Sequence, residues 1–315
     1  MTIWTPGGRY RPPAAEIGDV DATLASETMS PKLRLLCVLA HPDDESMGMG
    51  GTLAKYAAEG VETFLVTATR GQQGWLGDPA ANPGRERLGQ IREAELRAAA
   101  AVLGLRQVVL LDYVDGEVDQ VDSWQVTREI ASHIRRLRPH VVLTMGHDGI
   151  YGHPDHIAVC QLTTAAVMAA ADADDGLKRG ETPHHVSKLY YQAVRPEMIA
   201  AYESALGPLV MNVDGVERRG PGWPSWVITT TIDTTQYWEQ VWQAVACHRS
   251  QLPGYQTLMR LPAEQHQLIW CTQEYYRVFS LVNGGRRVEQ DLFEGLRNRA
   301  ERSDLLLVGD KPVAA

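Results

Sequence analysis

Leu35-Leu36-Cys37-Val38-Leu39-Ala40, followed at once by His41-Pro42-Asp43-Asp44-Glu45, is the stretch from which the rest of the chain can be read. Six consecutive apolar residues make a run of strand length, and a strand without polar alternation is one covered on both faces, as in a parallel sheet. Outward from it, a helix is expected over about Gly50–Glu59, stopped by Gly60, and then a β-branched strand from Val61 to Thr69. A Gly/Pro/Asn loop from Gly71 to Gly84 leads into a helix from about Arg85 to Leu103, where Ile91, Ala94, Ala98 and Val102 recur on one face and Gly104 is placed to end it. Gln107–Leu111 reads as a third strand. Val126, Ile130, Ile134 and Leu137 mark an amphipathic helix stopped by Pro139. Val141–Met145 is a fourth strand, and Pro154 to about Ala171 another helix.

Strand and helix alternating through short connections specify an α/β fold, Rossmann-like, with a mostly parallel sheet and helices on both faces. Beyond Asp172 the signals weaken. Lys188–Val194 and Val227–Ile232 are expected as strands and Gln236–His248 as a helix, while 213–226 and the segment after Ala300 look irregular. The expected organisation is an N-terminal arm over 1–31, one α/β domain over 32–300 and a C-terminal tail over 301–315.

Composition narrows the function classes. The chain has 315 residues, 44% of them hydrophobic, enough to bury a core of its own. Acidic residues outnumber basic ones 39 to 30 for a formal charge of −9, which argues against non-specific nucleic-acid binding. No apolar run approaches the roughly 20 residues that span a bilayer, and no signal peptide is visible, so a cytoplasmic protein is expected. Four cysteines, widely spaced and without a CxxC pair, read as reduced thiols.

The chemistry lies in two clusters. His41-Pro42-Asp43-Asp44-Glu45 follows the first strand, and His147-Asp148-Gly149-Ile150-Tyr151-Gly152-His153-Pro154-Asp155-His156 follows the fourth. In a parallel sheet both leave the carboxyl edge, where ligand sites collect at a topological switch point. Imidazole and carboxylate suit divalent first-row metals, and three protein ligands leave a position open for water. His41 and Asp44, three positions apart, can converge on one turn, and His156 is the best-placed third ligand. Surplus groups argue against a closed structural site: Asp43 beside the ligand pair and His153 one turn before His156 are the acids and bases metal-assisted hydrolysis needs. Asp155 can accept a hydrogen bond from a histidine nitrogen and fix its tautomer.

His-Pro-Asp-Asp-Glu-Ser after the first strand and Tyr-Gly-His-Pro-Asp-His later resemble the PIG-L/LmbE family of metal-dependent N-acetylglucosamine deacetylases. The resemblance extends over about Leu33 to Val159, including Thr69-Arg70-Gly71 and Arg92-x-x-Glu95, and returns at Ala246-Cys247-His248-Arg249-Ser250-Gln251. It implies His41, Asp44 and His156 as metal ligands, with Zn²⁺ the expected cofactor and Fe²⁺ the other ion this donor set accepts. It implies Asp43 as general base, His153 as electrostatic partner and acid, Tyr151 over the acyl oxygen, and Arg70 and His248 at the substrate. The implied reaction removes acetyl from an N-acetylglucosamine-type sugar or conjugate by metal-activated water. The alternatives are an amidase of a related thiol-sugar conjugate, a non-haem iron oxygenase, which shares the His/Asp/His ligand set, and a non-catalytic metal- and sugar-binding protein. Assembly into a homo-oligomer would be unsurprising.

Simpler readings stand beside these. Gly48, Gly50 and Gly51 do not make a dinucleotide site, because position 53 is Leu53 and no acidic residue ends the second strand. Asp44, Glu45 or Ser46 can cap a helix. Arg70 can be a solvated strand-end cation and His248 an ordinary helix-end histidine. His147 and Asp148 can simply shape the crevice, and His184 and His185 read as surface residues.

Overall fold

Hydrophobic alternation along β1 (Arg34–Leu39) divides the protein into its layers. Leu35, Cys37 and Leu39 point to one core, and Leu36 and Val38, with the following Ala40, to another. The computed structural model describes residues 32–173, 181–285 and 287–297, so the expected arm at 1–31 and tail at 301–315 lie outside the described residues. On the first face, α1 (Asp44–Ala58) and α2 (Arg85–Leu103) contribute Met49, Leu53, Leu96 and Ala99. On the second, α3 (Ser123–Leu137) and α5 (Pro154–Ala171) contribute Val126, Ile130, Val159 and Ala166; the four-residue turn Gly149–Gly152 is α4. Both faces of β1 are dry, so its continuous apolar run is what its position requires.

β2 (Glu62–Thr69), β3 (Gln107–Tyr113), β4 (Val141–Thr144) and β5 (Lys188–Gln192) join β1 in parallel register. Two further strands, β8 (Thr230–Asp233) and β9 (Thr272–Ser280), complete a seven-stranded sheet of order β3-β2-β1-β4-β5-β9-β8, in which β9 runs antiparallel to both neighbours. The chain winds from β1 outward to β3 and then returns to place β4 on the other side of β1. That reversal opens a crevice at the carboxyl ends of β1 and β4, and both histidine–aspartate clusters emerge there.

The structure departs from the sequence reading at several places. α1 begins at Asp44 rather than near Gly50, because the acidic residues of the motif form its first turn. The strand expected over 188–194 ends at Gln192, that over 227–232 lies at Thr230–Asp233, and the helix expected over 236–248 is α7 (Trp238–Val245). The segment 213–226 is not irregular throughout. β6 (Val210–Val213) and β7 (Val216–Arg219) form a hairpin whose Asp214-Gly215 turn holds both residues at positive φ. α6 (Pro196–Leu206), α8 (Ala263–Trp270) and β9 have no counterpart in the sequence reading. Among the described residues no helix is long and apolar enough to cross a membrane, and all four cysteines are free thiols, with Cys37 and Cys160 buried.

Candidate metal centre and active site

The loop between β1 and α1 is folded by its own carboxylates. Asp44 Oδ2 accepts the backbone N–H of His41 at 2.7 Å and of Ala40 at 3.2 Å, so its side chain curls back toward the end of β1. From the other cluster, His153 caps α5: its Nδ1 accepts the N–H of Asp155 at 3.2 Å, with Pro154 in the first turn. One turn later comes His156, 2% exposed.

These elements bring three donors together. His41 Nδ1 lies 3.3 Å from His156 Nε2 and 3.8 Å from Asp44 Oδ2, and Asp44 Oδ1 lies 3.4 Å from His156 Nε2. Donors about 2.0–2.1 Å from one tetrahedral ion stand roughly 3.3 Å apart, so the spacing and the chemistry of the set fit Zn²⁺. The far nitrogen of His41 strengthens the fit. His41 Nε2 sits 3.1 Å from Asp155 Oδ2 and 3.1 Å from Asp115 Oδ1. Two carboxylates at Nε2 place the ring proton there and leave the Nδ1 lone pair facing the other donors. Asp155 is itself fixed by the N–H groups of Gly116 (2.7 Å) and Val118 (3.1 Å). His153 also comes within reach, its nitrogen inside the same 4.8 Å group as those of His41 and His156. Its ring, however, stacks on His156 at 4.6 Å between centroids, and its Nδ1 is occupied by the Asp155 amide. That leaves its Nε2 as a hydrogen-bond donor rather than a fourth ligand. Burial, the largest cause, pushes the His153 pKa down, so the ring is neutral.

Asp43 stands beside the triad. Its Oδ2 accepts from Arg92 Nη2 at 3.1 Å and from the Tyr255 hydroxyl at 3.4 Å. Burial pushes its carboxyl pKa up, with the Arg92 charge opposing, which is the balance a proton acceptor working near neutral pH needs. A cavity of about 370 Å³ opens over these groups, with Tyr151, His153, Arg92, Asp115, Gln192, Gln251 and Tyr255 among its polar lining. The Tyr151 ring lies 5.9 Å from that of His153 and 5.7 Å from that of His156. It follows Ile150, whose φ of 68° is rare for a β-branched residue.

Two expected residues are not brought to the cavity. Arg70 pairs with Asp112 in the edge strand β3 and with Glu93 in α2, and does not line the cavity. His248 is fully buried, its Nε2 2.8 Å from Glu45 Oε1, and does not line it either. His147 packs its ring on Trp223 at 4.6 Å, and Asp148 accepts the Trp223 indole N–H at 3.1 Å, so both brace the wall. His184 sits against the Pro139 carbonyl, away from the site.

Conversely, Arg92, Asp115, Gln192, Gln251 and Tyr255 are cavity residues that the sequence reading does not assign. Arg92 and Gln251 fall inside the Arg92-x-x-Glu95 and Ala246–Gln251 motifs, and their polar character in otherwise packed segments is an available signal. Asp115 follows the third strand at the same sheet edge as the two clusters, a placement that also could flag it.

The chain has relatives of described activity. The family model for GlcNAc-PI de-N-acetylase, PIG-L, matches residues 36–167. The 1D-myo-inositol 2-acetamido-2-deoxy-alpha-D-glucopyranoside deacetylase of Thermobifida fusca is 35% identical over 243 residues, covering 70% of this chain and 83% of that protein. The mycothiol S-conjugate amidase of Streptomyces coelicolor is 30% identical over 301 residues, covering 86% of this chain and all of that protein. Among solved structures, a conserved protein from Thermus thermophilus superposes with a TM-score of 0.57 at 26% identity, over 80% of this chain and 97% of that one.

Proposed function

The chain belongs to the PIG-L family of de-N-acetylases, and from that premise we propose that it hydrolyses the N-acetyl group of an N-acetylglucosamine-type sugar or conjugate at this cavity. The observation that carries the reading is the convergence of His41 Nδ1, Asp44 and His156 Nε2 within 3.3–3.8 Å at the floor of a cavity that Asp43 also lines. Bound Zn²⁺ would polarise the amide carbonyl and lower the pKa of water at the site.

The protein groups divide the remaining work. Asp43 takes a proton from the attacking water as its oxygen bonds to the acetyl carbon. Arg92 and Tyr255 hold that carboxylate in place. His153, neutral and with Nε2 free to donate, supplies a hydrogen bond to the carbonyl oxygen as charge builds on it, and Tyr151 supplies a second from above. When the C–N bond breaks, the proton held by Asp43 passes to the nitrogen, and the amine and acetate leave. Asp115 and Asp155 keep the His41 tautomer. Arg70 and His248 are left out of direct substrate contact by their positions.

A second substrate group is favoured by one feature. Met47, Leu76, Leu206, Pro208, Leu209 and Val210 add apolar surface to the cavity lining. Such a lining suits an apolar substituent on the conjugate better than a bare sugar. The test is amine release from a panel of N-acetylglucosamine conjugates, including thiol-sugar S-conjugates, with quantified metal and a chelated control. Release that chelation abolishes and zinc restores is expected, and Asp43→Ala should remove it while zinc stays bound. Full activity of metal-loaded Asp43→Ala would refute the mechanism.

A further inference from the structure

Asp43 is aimed by its backbone as well as by its side-chain partners. Its φ of 105° and ψ of −27° are a left-handed conformation that is costly for a residue with a Cβ. The peptide is held there at both ends. Its carbonyl accepts the N–H groups of Ser46 at 3.0 Å and Met47 at 2.9 Å, and its own N–H donates to Glu45 Oε2 at 3.0 Å. Glu45 Oε1 in turn receives the Ser46 hydroxyl at 2.5 Å and His248 Nε2 at 2.8 Å. Glu45, Ser46 and His248 are all fully buried, and none lines the cavity.

His248 reaches this point from the turn that ends α7, where its N–H donates to the Val245 carbonyl at 3.0 Å. Among the described residues it is the hydrogen-bond partner that Glu45 has from outside the motif. A buried carboxylate deprived of its cationic or donor partner is strongly disfavoured. Glu45 would then turn toward other donors, and the acceptor that Asp43 N–H depends on would move with it. The carboxylate of Asp43 has separate holders in Arg92 and Tyr255. The two ends of Asp43 are therefore secured by different parts of the chain.

We propose that His248 is a positioning residue for Asp43: by pairing with Glu45 it keeps the acceptor of the Asp43 amide in place, and so holds the left-handed backbone that aims the Asp43 carboxylate into the cavity. This rests on the reading of Asp43 as the group that takes the proton from water. It also gives the Ala246–Gln251 segment a role other than touching substrate.

The experiment uses the full zinc-loaded chain and the best substrate of the panel, with His248→Leu, His248→Gln, Asp43→Ala and the double variant His248→Leu/Asp43→Ala. His248→Leu should lower kcat by about 10²-fold, the scale of a misplaced reacting group. KM should stay within about threefold, as expected when uniform substrate binding is untouched, and zinc should remain stoichiometric. His248→Gln, which can still donate to Glu45, should recover much of kcat. Against the residual rate of Asp43→Ala, His248→Leu should cause no further loss, because both changes remove the same function.

Unchanged kcat in His248→Leu, a rise in KM alone, a Gln variant no better than Leu, or an equal further loss in the Asp43→Ala background would each overturn the proposal. If His248→Leu does not accumulate folded, His248→Asn, too short to reach Glu45, carries the same comparison. An inactive Asp43→Ala beside an unimpaired His248→Leu overturns this inference alone. A fully active Asp43→Ala overturns the reading of Asp43 and this inference with it.

Discussion

Replacing Arg92 by methionine tests the wall that supports Asp43. Arg92 is 3% exposed and donates Nη1 to the Gly71 carbonyl at 2.8 Å, and Nη2 to the Pro42 carbonyl at 2.5 Å and to Asp43 Oδ2 at 3.1 Å. Methionine keeps much of the length and flexibility but donates nothing. The Pro42 carbonyl loses its donor and the Asp43 carboxylate its cation, at about 1–3 kcal/mol each, while the Gly71 carbonyl keeps the N–H of Gly74 at 3.2 Å. In return a buried guanidinium, whose Nε has no partner, no longer has to be desolvated, which offsets roughly 1–3 kcal/mol. The balance is a loss of about 2 kcal/mol, or a fall in Tm of roughly 3 °C for a chain of this size. The freed Asp43 carboxylate should lower kcat by about 10²-fold. Arg92→Lys, with one point donor in place of a fork, should fall between. Gly71→Ala approaches the same seat from the other side, since a Cβ there, at φ 63°, would collide with the Arg92 guanidinium. Calorimetry of zinc-saturated protein and amine release are the two assays. An Arg92→Met variant with wild-type Tm and wild-type kcat would show that these bonds contribute neither stability nor alignment.

The remaining predictions concern the rest of the framework. Burial alone would raise the Glu289 pKa, but hydrogen bonds from Lys188, Tyr190 and Asn283 outweigh it and hold it at about 2. A depressed carboxylate stabilises the fold above its unfolded pKa and loses that contribution as pH falls toward the folded value. The stability gap between wild type and Glu289→Gln, read by urea unfolding, should therefore be full near neutrality and shrink from about pH 4.5 to 2; a gap independent of pH would contradict it. Asp115→Asn should weaken zinc binding by about 10–100-fold in a chelator competition, and an unchanged affinity would remove Asp115 from the support of His41. Arg70→Ala should leave KM and kcat nearly unchanged, because the side chain is turned to Asp112 and Glu93; a marked rise in KM would place it at the substrate after all.

Much of the fold is legible because its information is local. β1 to β4 and the helices between them announce themselves by apolar runs of strand length and by helical spacing, and Gly60, Gly104 and Pro139 mark where elements stop. The start of α1 escapes that reading because Asp43 to Ser46 look like motif rather than helix, although their side chains serve both. The second half is harder. β9 alternates only weakly between buried and half-buried positions, and it runs antiparallel between β5 and β8, against the parallel pattern that the first half leads one to extend. The β6–β7 hairpin is short and mostly exposed, so it carries little hydrophobic signal.

The site divides in the same way. From residues alone, two histidine–aspartate clusters after two buried strands already imply a metal-binding crevice, because parallel strands deliver their following loops to one edge. What no local pattern contains is which side chain turns where. Arg70 and Arg92 are both cations near that edge, yet only Arg92 enters the cavity. Asp115 meets His41 across two strands, and His248 meets Glu45 across 203 positions. Such pairings depend on how sheet order and helix packing bring distant segments together, and hydrophobic periodicity is blind to that. The sequence determined the chemical groups and the edge where they gather; the tertiary structure alone decided their partners, because a hydrogen bond is a matter of ångströms between residues that the chain keeps far apart.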